Sequence, residues 1–89
     1  MRYKSQFTQE CLRDIKKLKK SSDLLKRLKN KINEILCDPY RFKPLRYSLK
    51  NKRRIHIGSF VLIFKIDEEE KIIEFISFRH HDDVYNEAD

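Results

Sequence analysis

The sequence has a single glycine, Gly58, and that scarcity removes several chemistries at once. Loops that cradle phosphate with backbone amides need several glycines in close order, so Walker and dinucleotide-binding loops are excluded. There is no GxSxG elbow and no zinc motif. Only two cysteines are present, Cys11 and Cys37, and they lack CxxC spacing. Each falls on the apolar side of a helical pattern, so both are expected to be small core thiols, not a disulfide or a metal pair. No apolar run approaches the length of a membrane span, and the N-terminus lacks the apolar core of a signal peptide. These absences predict a cytoplasmic protein with no membrane association, no metal and no cofactor.

Acidic residues are missing from one long stretch. Between Pro39 and Ile66 there are eight basic residues and no acidic one. Residues 1–66 hold 19 basic and 5 acidic residues, whereas residues 67–89 hold 2 basic and 9 acidic. Solvated surfaces usually mix signs, so an unmixed basic stretch points to an anionic partner such as RNA, DNA or an acidic protein. The chain is 39% charged, with a mean hydropathy of −0.76, yet its apolar residues recur periodically. That periodicity predicts a folded domain, and 89 residues suffice for one domain, spanning 1–89. A core this small leaves little room for a deep cleft, so any active site should be a surface groove.

Residues 2–6 fit a first strand. Thr8 can cap a helix whose apolar positions are Phe7, Cys11, Leu12, Ile15 and Leu18. After the break at Ser21, Ser22 and Asp23, a second helix carries Leu24, Leu25, Leu28, Ile32, Ile35 and Leu36. It ends at Asp38-Pro39, because proline disfavours helix at the residue before it. Beyond Pro44 the period changes. Residues 45–49 fit a short strand, and Lys52 to Gly58, Phe60 to Ile66 and Lys71 to Phe78 read as three strands. Their short connections make them antiparallel neighbours. Phe60 to Ile66 is apolar almost throughout and should be central. The expected class is α+β, in the order β-α-α-β-β-β, with an antiparallel-rich sheet and a helical hairpin packed on one face.

Strand alternation divides Lys52 to Gly58. Arg53, Ile55 and Ile57 point one way, and Lys52, Arg54 and His56 the other. A face of cations with an imidazole suits a phosphodiester, since cations stabilise phosphate charge and histidine moves protons near neutral pH. Arg79-His80-His81-Asp82-Asp83-Val84-Tyr85, just after the last strand, could complete a nucleic-acid site. Arginine pairs with phosphate through two donors, and tyrosine stacks on bases. Lys43, Arg46, Lys50, Lys52, Arg53 and His81 are the expected further contacts to a nucleic acid, which would be RNA-binding residues if the partner is RNA. A metal at the His-His-Asp-Asp run is disfavoured, because adjacent side chains diverge.

These pieces, in this order, resemble the RelE/ParE superfamily of toxins. The resemblance runs through Ile15 to Lys20, Asp38-Pro39, Leu45-Arg46, Arg53 to Phe60, Ile63 to Asp67 and Arg79 to Tyr85. It implies a sheet packed on a helical hairpin and, for the RelE branch, an mRNA interferase of a type II toxin–antitoxin system. Such toxins enter the ribosomal A site and cut the messenger without a metal, by attack of the 2′-hydroxyl on its neighbouring phosphate. Carried over by position, the resemblance makes Arg54 and His56 the catalytic strand pair, Arg79 the phosphate arginine and Tyr85 the stacking tyrosine. It also implies a RelB-like antitoxin as partner, beside ribosome and mRNA, with a heterotetramer as one assembly open to the pair. Two positions depart from the pattern. Val61 stands where RelE-like toxins commonly carry an arginine, and His56 where lysine is frequent. A ParE-like inhibitor of DNA gyrase and a weakened toxin acting as a binding module are the alternatives.

Overall fold

A computed structural model describes residues 2–42 and 52–85, the last two by backbone alone. The strand expected over 45–49, with Lys43, Arg46 and Lys50, lies outside the described residues, as does the side chain of Tyr85. The elements run β1 (Lys4–Phe7), α1 (Gln9–Lys16), α2 (Ser22–Cys37), a 3₁₀ turn (Pro39–Arg41), β2 (Lys52–Ile57), β3 (Phe60–Asp67), β4 (Ile72–His80) and α3 (His81–Tyr85). This is the expected α+β order with a short helix added at its end.

The four strands form one sheet in the order β1-β4-β3-β2. The two pairs β2–β3 and β3–β4 are antiparallel, and β1 lies parallel to β4. The helical crossover between β1 and the hairpins makes that parallel pairing possible, because it returns the chain to the opposite end of the sheet. Both helices cover one face. Cys11, Leu28, Ile35 and Leu36 join Ile57, Leu62, Phe64, Ile66, Ile73, Phe75 and Phe78 in one buried cluster. Burying one such aliphatic or aromatic side chain stabilises by about 1.5–3 kcal/mol.

Thr8 ties α1 to the sheet. Its Oγ1 accepts from the Cys11 amide at 3.0 Å, as a helix N-cap should, and donates to the Ile76 carbonyl at 2.7 Å. The first strand starts later than expected, and Phe7 belongs to it, stacked on Phe75 with centroids 5.0 Å apart. Leu12, placed on the apolar stripe from the sequence, is 53% exposed. Cys37 is exposed too, contrary to the core role expected of it, whereas Cys11 is buried. The stripe of α2 closes with Leu36, and the next residue is turned a further 100° away.

Gly58 has φ +62°, the left-handed value that the two-residue turn Gly58-Ser59 requires. At the other end of the sheet, the β3–β4 turn is held by Glu68. Its carboxylate accepts from Tyr3 (2.9 Å), Tyr40 (2.8 Å) and Lys71 (2.5 Å). Lys71, expected to begin a strand, instead takes φ 56° at the close of this turn.

β4 runs two residues past its expected end and contains a bulge. Phe64 faces Phe75 but Ile63 faces Ser77, so Ile76 is the extra residue. A bulge interrupts strict alternation. Counted in twos from Phe75, Arg79 would share the helix-covered face. The bulge reverses that assignment. Phe78 joins the core opposite Leu62, and Arg79 falls opposite Val61 on the other face.

Candidate functional site

The face away from the helices carries three cross-strand rows. His56, Val61 and Arg79 form the first, Arg54, Ile63 and Ser77 the second. Lys52, Lys65, Glu74 and Gln6 form the third. Neighbouring strands lie about 4.8 Å apart, which separates the backbones of His56 and Arg79 by about 10 Å. Along β2, Arg54 and His56 are about 6–7 Å apart on the same side. His56 is exposed, while Arg54 and Arg79 are half-buried. Val61 is fully buried and stands outside the helix-side cluster. The strand register thus sets Lys52, Arg54, His56 and Arg79 on one sheet face, from which the Arg79 guanidinium turns over the β4 edge to α1.

Arg53 stands apart from the cations of this face. It was expected among the RNA-contacting cations, but it points to the helix side. Its Nη1 donates to the Phe42 carbonyl at 2.7 Å, and its guanidinium lies 5.1 Å from the Tyr40 ring centroid. These internal contacts use its charge to anchor β2 against the turn after α2.

Arg79 is engaged by α1. Its Nη2 pairs with Glu10, and its Nε lies 3.4 Å from Asp14 Oδ2. The same Asp14 oxygen accepts from the Phe78 amide at 3.0 Å, on the stretch of β4 that β1 does not reach. Asp14 therefore satisfies an edge amide and fixes the root of the guanidinium together. Sequence reading missed both carboxylates, although Asp14 left a signal. It lies within the stripe Cys11, Ile15 and Leu18, and a charge on an apolar stripe needs a buried partner. Cys11 packs close by. Its thiol is pushed up to about 12, first by burial and then by the charges of Asp14 and Glu10.

The C-terminal cluster behaves differently from expectation. His80 turns to the helix side and meets the Phe60 ring edge-on at 5.6 Å. Its Nδ1 accepts from the Asp82 amide at 3.2 Å, opening α3. The His81 amide donates to the Ser59 carbonyl at 2.9 Å. At this strand-to-helix junction the adjacent side chains converge instead of diverging. The His80 and His81 rings lie 4.4 Å apart, and ligand atoms of His80, His81 and Asp82 fall within 4.8 Å of one another. These three could offer a divalent transition ion two nitrogens and an oxygen. Beside them, an open groove of about 580 Å³ is lined by Asp14, Lys17, Leu18, Phe60, Phe78 and His80, among others. No helix among the described residues is long and apolar enough to cross a membrane.

Known proteins share the family and the fold. Residues 6–85 match the family model described as the ParE toxin of the type II toxin–antitoxin system parDE. A protein of Methanocaldococcus jannaschii assigned as toxin RelE4 is 41% identical over 68 residues, which cover 75% of this chain and 72% of that protein. The Escherichia coli toxin RelE, solved in the free state as a mutant with two arginines changed to alanine, superposes with a TM-score of 0.78 at 28% identity, covering 99% of this chain and 95% of that one. The E. coli RelBE toxin–antitoxin complex gives 0.76 at 26% identity, covering 88% and 95%.

Proposed function

This chain belongs to the RelE/ParE superfamily of type II toxins, and from that membership we propose that it is a ribosome-dependent endoribonuclease that cuts messenger RNA in the A site. One observation carries the reading: His56, Arg54 and Arg79 share a single sheet face, on either side of Val61. Cleavage requires a base for the 2′-hydroxyl, cations at the phosphate and an acid for the leaving oxygen. In the proposed step the 2′-oxygen attacks phosphorus and gives its proton to His56. The bond from phosphorus to the 5′-oxygen breaks, and that oxygen takes up a proton from water. The products are a 2′,3′-cyclic phosphate and a 5′-hydroxyl, with no oxidation or reduction and no metal required. Arg54 and Arg79 neutralise charge on the phosphate, and Tyr85 stacks on a base.

The ribosome supplies what a shallow surface lacks. Holding the messenger in line with the attacking oxygen removes orientational entropy that this face cannot remove alone. The second proposed partner is a RelB-like antitoxin that covers the basic face, since an uncovered +7 domain would bind RNA indiscriminately. Structures of RelE toxins with antitoxin RelB from E. coli support such a partner. Apolar anchors beside the charged contacts would make that complex lose affinity only moderately with salt.

The test is cleavage of programmed ribosomes by the purified toxin, with the cut mapped on the messenger. A-site cleavage that naked RNA does not undergo supports the reading, and equal cutting of naked RNA opposes it. A second reading, inhibition of DNA gyrase, is favoured by the ParE description of the matching family and by Val61 in place of an arginine. Loss of gyrase supercoiling with intact messenger would establish it instead.

A further inference from the structure

The contacts of Arg79 give α1 a part in substrate binding. Asp14 and Glu10 hold the same guanidinium but differ in their surroundings. The Asp14 side chain is 8% exposed and is also bonded to the Phe78 amide, so it cannot leave without orphaning a backbone donor. The Glu10 side chain is 45% exposed, sits in the first turn of α1 and has water available if displaced. Its carboxylate presents oxygen acceptors to Arg79 Nη2 much as a phosphodiester would. Arg79 itself is 24% exposed, so an anion can reach it from solvent.

We infer that Glu10 is a gate on the RNA site: its carboxylate occupies the position on Arg79 that an RNA phosphate takes, and RNA binds by displacing Glu10 while Asp14 keeps Arg79 anchored. The inference rests on the reading of Arg79 as a phosphate contact. Its consequence is selectivity. Weakly held RNA does not repay the exchange of one anion for another, whereas a messenger positioned elsewhere on the face does. Glu10 thereby lowers the affinity of this cationic surface for RNA in general.

The experiment measures binding of a short single-stranded RNA with 2′-O-methyl riboses, which cannot be cut by 2′-attack. Wild type, Glu10→Gln, Arg79→Ala and the double variant are compared at one salt concentration. An exposed ion pair is worth about 0.2–1 kcal/mol, so Glu10→Gln should bind up to about fivefold more tightly. In the Arg79→Ala background the gain should vanish, because the gate has nothing to close. A gain that persists there reflects general loss of negative charge and overturns the gate. Wild-type affinity in Glu10→Gln, with weakened binding in Arg79→Ala, overturns the gate but leaves Arg79 as a phosphate contact. Wild-type affinity in Arg79→Ala removes that underlying reading. Thermal midpoints of the four proteins establish that each remains folded.

Discussion

His56 and Arg79 flank Val61 in one cross-strand row, with the imidazole on β2 and the guanidinium on β4. A scissile phosphate above Val61 would have a proton acceptor on one side and a cation on the other. The row fixes both backbone positions by strand pairing, while the Arg79 guanidinium is held by Glu10 and Asp14.

His56→Ala should lower cleavage of ribosome-bound messenger by about 10²-fold or more, the range for loss of a general base. His56 is exposed, so the thermal midpoint should stay near wild type. A single-turnover rate equal to wild type would make His56 a bystander. The base would then be sought at Lys52, Arg54 or His81.

Val61→Arg should strengthen the site. The position lies between His56 and Arg79 on the same sheet face, and an arginine there is long enough to extend past the groups that cover Val61 toward a phosphate. A hydrogen bond to a charged group contributes about 1.5–3 kcal/mol, so the gain in kcat/KM should be about tenfold or more. Some stability should be lost, because Val61 is fully buried. Unchanged kcat/KM in a folded variant would mean that the phosphate does not pass over this row.

Much of the architecture was legible in the sequence. Local features write themselves plainly: the Leu28, Ile32 and Ile35 stripe, the Thr8 cap, the stop at Asp38-Pro39 and the turn at Gly58. The face of Arg54 and His56 followed from alternation alone. Arg79 did not, because a bulge is a property of strand pairing, and nothing around Ile76 marks it. The contrary fates of Cys11 and Cys37 have a similar cause, since a one-residue step at a helix end moves a side chain from core to solvent. The Arg79 partnership with Asp14 joins residues 65 positions apart in sequence. Only the lone carboxylate on an apolar stripe hinted at it.

The two thiols should react at very different rates. Cys37 is exposed, while Cys11 is buried with its ionisation pushed up to about 12. Alkylation needs the thiolate, so iodoacetamide near pH 8 should label the folded protein once, at Cys37. Denaturant should release Cys11. Peptide mapping by mass spectrometry distinguishes the sites, and rapid labelling of Cys11 in the folded protein would contradict its burial.

The Glu68 cluster should make stability sensitive to acid. Hydrogen bonds from Lys71, then Tyr40 and Tyr3, hold the Glu68 carboxyl below its usual value of 4.5. A carboxyl with a depressed folded-state pKa stabilises fully above its unfolded value, and that contribution fades as pH falls through the folded value. Part of the thermal stability should therefore be lost below about pH 4.5, as the anion that gathers β1, the 3₁₀ turn and the β3–β4 turn is neutralised. Glu68→Gln keeps the shape and removes the charge. Its melting temperature should be lower than wild type at neutral pH, and the two should converge as pH falls through the lowered folded-state value. The cluster is solvent-exposed, so added salt should narrow the neutral-pH difference as well. Parallel pH profiles for wild type and variant, with a constant offset, would show that Glu68 acts through shape and not through charge.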